Sequence, residues 1–318
     1  MTSDNDLLFH YTDAGGLLGI LSPGPMHSSW GGEIELGGSL NLRASDVRYL
    51  NDTTEVRYGA KVVAKILRNK SKSTDISDVE RHGLLQLADE LKNDEITIDW
   101  WTHRSPVAVH AACFTESGDL LSQWQGYGDN GGGYAIGVTR DALQYSLVSL
   151  PGNPMFRGLQ LKKVCYGNGQ KTKSLVANLI ETLTGEENVL DKGELSDTAR
   201  RDAIMTAAQI KHPAFKSERE WRLITDTSGN WFNEFRPTSQ GLIPYVDYIV
   251  NPTPTTTPLH PSDLASDDGP APRPPTIGKV VVGPGGDRKL RMDAVSRLLR
   301  RFGHNPDCVV QSDVPYRA

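Results

Sequence analysis

Cysteine is scarce in this chain and badly placed for chemistry. Three residues, Cys113, Cys165 and Cys308, are widely scattered, with no C-x-x-C pair among them. An odd, dispersed set argues against a disulfide framework and against a structural zinc site, and points to buried free thiols. Long apolar runs are missing too. No stretch approaches the ~20 residues of a membrane helix, so no membrane contact is expected. The first residues, Met1 to Asp6, are polar and acidic rather than leader-like, and a cytoplasmic location is the expectation. Positive charge is not in excess: the net charge is -5 and the pI near 5.9, which argues against a globally basic nucleic-acid binder. H-E-x-x-H, G-x-S-x-G and a Walker loop are absent. His103, His110, His212, His260 and His304 have no metal-ligand spacing, so no metal is expected.

What is present is a set of short strand and helix signals. Leu7 to Tyr11 is an apolar run suited to a buried strand, and Thr12-Asp13 can cap a helix from Gly15 to Leu21. In that helix Leu17, Leu18, Ile20 and Leu21 are expected to face inward. Ser39 to Arg43 reads as a strand, Asn51-Asp52 as a turn and cap, and Thr54 to Asn69 and Val79 to Lys92 as helices. Val107 to Phe114 is a strongly apolar strand, followed by a short helix from Leu120 to Tyr127, a glycine loop and the strand Tyr134 to Val138. Gly158 to Tyr166, Phe215 to Asp226 and Leu242 to Val250 are further strands. Leu175 to Leu183 and Ser196 to Ile210 are helices. Ile277 to Val282, a glycine loop, Lys289 to Phe302 and Asp307 to Gln311 form a closing strand-loop-helix-strand unit. There is no internal repeat and no steady βαβ rhythm, which favours a mixed or antiparallel α+β core. The expectation is one α+β domain over 1–318 with helical insertions at about 54–105 and 170–211. A flexible Pro/Thr-rich loop is expected at about 251–275.

Several residues could carry chemistry. His10, in its apolar strand beside Tyr11 and Thr12, is either a satisfied core histidine or an imidazole offered to a ligand hydroxyl. Trp124 and Tyr127 are three apart, so a helix would put them on one face, either as core aromatics or as a stacking platform. Glu218 and Glu220 are two apart, and on a strand they share a face with Arg222. The alternation of Trp221 and Leu223 against Arg222 reads as a strand with one wet face. Gly283-Pro284-Gly285-Gly286-Asp287 ahead of a helix is a weak phosphate-cradle signal. Arg288, Lys289, Arg291, Arg297, Arg300 and Arg301 make the final helix basic, most simply a solvated face.

Taken in order, a series of segments resembles a widespread bacterial family of uncharacterised proteins over nearly the whole chain. The segments are Phe9-His10-Tyr11-Thr12, Arg48-Tyr49-Leu50-Asn51-Asp52, Cys113-Phe114, Ser122-Gln123-Trp124-Gln125-Gly126-Tyr127, Gly133-Tyr134-Ala135-Ile136-Gly137, Glu218-Arg219-Glu220-Trp221-Arg222 and Val314-Pro315-Tyr316-Arg317. More distantly, the chain resembles the H-Y-E branch of the ADP-ribosyltransferase superfamily. His10 with its short G-L-L-G-I-L helix looks like the start of DarT-type toxins. Ser122 and Tyr127 are similar in layout to the Ser-x-x-x-Tyr helix of poly-ADP-ribose polymerases, with one residue more and Tyr134 as the rival. Glu220 opens a late strand, with Glu218 completing an E-x-E pair as in arginine-specific toxins.

The resemblance implies a split β-sheet core of ADP-ribosyltransferase type and NAD as substrate, without metal. Glu220, Glu218 and His10 would be catalytic. His10, Tyr11, Thr12, Phe114, Ser122, Trp124, Tyr127, Tyr134 and Arg222 would line the NAD site. His10 would hold the ribose, an aromatic would stack on nicotinamide, and Glu220 would bond the 2′-hydroxyl and stabilise the oxocarbenium-like transition state. The acceptor could be protein, nucleic acid or small molecule, and the setting a toxin or phage-defence effector. Two alternatives stay open: NAD hydrolysis with water as acceptor, and a non-catalytic nucleotide or nucleic-acid-binding module on the same fold.

Overall fold

The computed structural model describes residues 6–22, 26–27, 33–34, 38–50, 55–93, 95–100, 103–149, 159–184, 190–191, 194–227, 234–238, 241–251 and 275–315. The expected turn at Asn51-Asp52 and most of the Pro/Thr-rich loop at 251–275 lie outside the described residues.

The described fold is mixed α+β, built on one open and mostly antiparallel sheet of eleven strands. In chain order these are β1 (Leu7–Thr12), β2 (Leu40–Asp46), β3 (Val109–Thr115), β4 (Tyr134–Thr139), β5 (Leu147–Ser149), β6 (Gln160–Lys163), β7 (Glu220–Asp226), β8 (Glu234–Thr238), β9 (Gly241–Val250), β10 (Ile277–Val282) and β11 (Val309–Gln311). Across the sheet the order is β8-β9-β2-β3-β1-β4-β10-β11. β7 joins β3 and carries β6, and β5 lies against β9. Within this sheet, among the described residues, only β10 and β11 run parallel, joined by the closing helix as the sequence pattern predicts. The helices are α1 (Ala14–Leu21), α2 (Glu55–Lys70), α3 (Asp78–Asn93), α4 (Leu121–Gly126), α5 (Arg140–Gln144), α6 (Gln170–Thr184), α7 (Asp197–Ala207) and α8 (Arg288–Arg301).

The pairing around β3 is irregular. β7 pairs with β3 along the whole of β3, from Glu220 opposite Thr115 to Asp226 opposite Val109. The other edge of β3 is shared. β2 meets its beginning, at His110 and Ala111, and β1 meets its end, at Thr115 opposite Phe9. Between those contacts, residues 112–114 face a gap where β1 and β2 diverge. The sheet is split there.

Two large apolar cores flank the sheet, with a smaller cluster of Leu7, Phe9, Tyr11, Trp124, Ala135 and Val281 beside them. One gathers Leu8, Leu40, Leu42, Phe114, Ile136, Val138, Tyr248 and Val280 with α1 and α8. The other joins α2, α3, α6 and α7 to Val109, Ala111 and Ile224 of the sheet. The two helical segments, read separately from the sequence, thus form one layer. Residues 97–100 and 103–106 inside the first segment form a small antiparallel ladder rather than more helix. In α1 the Asp13 side chain caps the helix at 2.6 Å from Gly16 N, and Leu17, Ile20 and Leu21 are buried. Leu18 is 52% exposed, against expectation, because an eight-residue helix on a sheet buries only one stripe.

The glycine segment 283–287 packs on the glycine loop at 131–133. Gly283 N and Gly285 N donate to Gly133 O at 3.0 Å and to Gly131 O at 2.8 Å, and the Asp287 side chain accepts from Leu290 N at the start of α8. Two of its donors thus hold the other glycine loop in place. Of the basic residues on α8, Arg291 donates to the carbonyls of Gly132, Gly133, Gly283 and Gly285, and Arg297 pairs with Asp293 on the surface.

Candidate functional site

A cleft of about 620 Å³ opens at the split in the sheet. Its floor is one sheet face. Strand alternation places Asn41, Arg43 and Ser45 of β2, Ala111, Cys113 and Thr115 of β3, and Glu220 and Arg222 of β7 on that face. β1 and the start of α1 form one wall, and Glu55 of α2 and Lys211 close the other side.

His10 sits where β1 leaves β3. Its Nδ1 donates to the Cys113 carbonyl at 2.9 Å, taking the place of the ladder bond that the split removes. A carbonyl only accepts, so Nδ1 carries the proton and Nε2 is left as an acceptor. Burial pushes the imidazole pKa down, which keeps the ring neutral. Gly16 lets α1 close onto the end of β1, since a Cβ there would collide with the Thr12 hydroxyl.

At the far side of β3 lies a buried ion cluster. Lys211 Nζ donates to Glu218 Oε2 at 2.7 Å and Glu220 Oε2 at 2.8 Å, and stands 3.4 Å from Glu55 Oε1. Arg222 Nε donates to Glu220 Oε1 at 2.7 Å, while its terminal nitrogens reach Glu55 and, at 2.6 Å, the Ala208 carbonyl. Arg222 is 1% exposed and Glu220 5%. This corrects the sequence expectation of a strand with one wet face. That face is covered by the helical layer, and charge is tolerated there because every member is paired. Burial pushes the Glu220 carboxyl up, but Arg222 and Lys211 outweigh it and bring the value down to about 2. Burial raises Glu218, against its bond to Lys211. With all groups ionised, three carboxylates face two cations and one negative charge is in excess.

Glu218 is not on the strand. It ends a 3-10 turn (Pro213–Glu218), and Arg219 turns the chain with a left-handed φ of 47°. Thr115 Oγ1 donates to the Glu218 carbonyl at 2.6 Å and pins it beside the cleft. The shared face inferred from strand alternation is therefore reached by a different local geometry. Glu220 N–H donates to Tyr166 Oη at 2.8 Å.

The aromatic candidates separate. Tyr127 follows the last residue of α4 and borders the cleft, 41% exposed. Burial of its hydroxyl and the nearby Glu218 charge push the phenol up to about 12. Trp124 does not share that position. It is fully buried, its ring edge-on to Tyr11 at 4.7 Å, and its Nε1 donates to Asp119 Oδ1 at 2.7 Å. The helix ends before Tyr127, so the three-residue spacing does not bring the two rings to one face. Tyr134 packs in the sheet core under the Arg291 guanidinium, 4.9 Å from its ring centre, and does not line the cleft. Ser122 is exposed on α4, also outside it.

The cleft thus brings together His10, Tyr11, Thr12, Phe114, Tyr127, Glu218, Glu220 and Arg222. Tyr11 is a wall residue with its hydroxyl committed to Ser117 O and Leu120 N, and Phe114 is 2% exposed. Glu55, Lys211, Arg43 and Arg236 were not singled out from the sequence, for none sits in a motif. Only the strongly amphipathic α2, with Glu55 in its first turn, gave any hint. Among the described residues no group of His, Cys, Asp and Glu could hold a metal ion. No described helix is long and apolar enough to cross a membrane.

These features define a mixed α+β protein with a charged cleft in a split sheet. Compared with known families, residues 123–223 match the family described as "Protein of unknown function (DUF2971)". The match runs from α4 into β7 and takes in Tyr127, Lys211, Glu218, Glu220 and Arg222. It agrees with a resemblance to an uncharacterised family and brings no activity with it. No curated protein and no solved structure matches the chain.

Proposed function

We propose that the cleft binds NAD and breaks the bond between nicotinamide and ribose, passing ADP-ribose to an acceptor. The observation that carries this reading is the meeting of His10, Tyr127, Glu218 and Glu220 around one cleft, in the order the H-Y-E resemblance implies. The split in the sheet supports relating the fold to the ADP-ribosyltransferase type.

The chemistry follows from the geometry. His10 Nε2, an acceptor on a neutral ring, takes a hydrogen bond from a ribose hydroxyl. Tyr127 offers its ring to nicotinamide. When the C1′–N bond breaks, its electron pair leaves with nicotinamide and positive charge develops on the ribose. The excess negative charge of the Glu55, Glu218 and Glu220 cluster opposes that charge at short range in a buried setting. The acceptor's oxygen or nitrogen then bonds to C1′ and its proton passes to Glu218, the carboxylate whose proton affinity burial raises. Glu220, held by Arg222 and Lys211, fixes the cluster and meets the 2′-hydroxyl. With water as the acceptor the same steps give hydrolysis. A cytoplasmic toxin or phage-defence effector is the setting the resemblance implies.

A second reading has one specific observation in its favour. Both Glu220 oxygens are already engaged by cations, which suits a site that binds a nucleotide without turning it over. Incubating the purified protein with NAD and measuring free nicotinamide separates the two. Release that is lost in Glu220→Gln supports the enzyme. Saturable binding without release supports the module, and full activity in Glu220→Gln rejects the assignment of Glu220.

A further inference from the structure

The cleft has a second charged region, on the opposite side of β3 from the carboxylates. Arg43 on β2 and Arg236 on β8 both line it. The terminal nitrogen of Arg236 donates to Ser45 Oγ at 2.9 Å, and its Nε is buried with no partner. A guanidinium nitrogen without an acceptor is costly, and with the side chain lining the cleft an anion beside it would offset that cost. Arg43 has its guanidinium 5.2 Å from the Tyr245 ring centre. Asp247 lies opposite Arg43 in the β2–β9 ladder, and Glu234 lies on the same strand as Arg236, but neither lines the cleft. Burial lowers the proton affinity of Arg236 and repulsion from Arg43 adds to it, against Tyr245, while the charge of Arg43 also acts on Asp247.

We propose that Arg236, with Arg43 beside it, forms an anion subsite of the cleft that takes a phosphoryl or diphosphoryl group. The planar guanidinium fork matches two phosphoryl oxygens at once, and a second cation favours a group carrying more than one negative charge. The β8–β9 hairpin then has a use beyond packing, since it carries Arg236 to the cleft. This subsite stands apart from the NAD reading, because it rests on other residues and holds for any phosphorylated ligand.

Titrating the full chain with inorganic pyrophosphate at fixed ionic strength, by calorimetry and by the shift in thermal midpoint, tests it. Saturable binding to the wild type is expected, weakened about tenfold or more in Arg236→Ala, the loss of one charge-assisted pair. Arg297→Ala, a surface control on α8, should bind as the wild type does. Arg236→Lys keeps the charge and loses the fork. It should also bind more weakly, and it serves if Arg236→Ala fails to fold. No binding by the wild type overturns the subsite, as does wild-type affinity in both Arg236 variants or an equal loss in Arg297→Ala. Pyrophosphate binding that depends on Arg236, without nicotinamide release from NAD, keeps the subsite and rejects the transferase. Nicotinamide release with an unchanged KM for NAD in Arg236→Ala does the reverse.

Discussion

The imidazole of His10 donates to the carbonyl of Cys113 at 2.9 Å, and this side-chain bond stands where a main-chain ladder bond would otherwise join β1 to β3. It satisfies the open edge of β3, fixes which ring nitrogen is protonated, and leaves the other at the cleft. Burial lowers the pKa of the ring, so it charges only below the usual histidine range. An NMR titration of the His10 imidazole should therefore give a midpoint below 6.5. Ligand affinity that depends on neutral His10 should be flat from neutral to alkaline pH and fall only in acid. A midpoint above the ordinary value would contradict this account.

Lys211→Met should be strongly destabilising. It leaves Glu55, Glu218 and Glu220 facing Arg222 alone in a buried site, and breaking such a network costs about 3–5 kcal/mol. Adding Glu218→Gln to Lys211→Met should restore part of the loss by removing one of the repelling charges. Urea unfolding of both variants measures the difference.

The two carboxylates of the E-x-E pair should pull stability in opposite directions with pH. The Glu220 value is depressed from 4.5 to about 2, so its contribution is present above 4.5 and lost as pH falls toward 2. The Glu218 value is raised, so its contribution is present below 4.5 and lost as pH rises through its folded value. Thermal midpoints against pH should then peak in weak acid. In Glu218→Gln the decline toward neutral pH should flatten, while the acid limb below 4.5 stays.

Tyr127→Ala should weaken binding of NAD by up to about tenfold, the range of an aromatic stacking contact, and Tyr127→Phe should not. The ring is 41% exposed, so the thermal midpoint without ligand should barely move. Equilibrium dialysis with both variants reads the affinity.

Asp119 ties the loop after β3 to the end of the chain. Its carboxylate accepts from Trp124 Nε1 at 2.7 Å, from Ser312 Oγ at 2.5 Å and from Asp313 N at 2.7 Å. Asp119→Ala strands a fully buried indole N–H and should cost about 2 kcal/mol or more. Asp119→Asn, which keeps one acceptor oxygen, should cost less, as chemical denaturation will show.

Much of the architecture was legible in the residue order. The apolar run at Leu7 to Tyr11, the amphipathic helices around Val63 and Leu87, and the strand-loop-helix-strand ending all form where the pattern puts them, because alternation and 3.6-residue spacing are local properties. The strand β8 was not read, since Glu234 to Thr238 is mostly polar and contains a proline. It becomes a strand only by pairing with β9.

The candidate site divides the same way. Sequence alone determined that His10 lies on the first strand, that an aromatic helix follows β3, and that Glu220 and Arg222 share a strand face. Tertiary structure decided the rest. Whether the Arg222 face is wet or dry depends on α2 and α7, which come from segments far away in the chain and cover it. Whether Trp124 or Tyr127 meets the cleft depends on where α4 stops against the sheet. That Lys211 and Glu55 complete the charge cluster follows from packing two helical segments into one layer. Local periodicity specifies which side a residue points to; only the fold specifies what waits on that side.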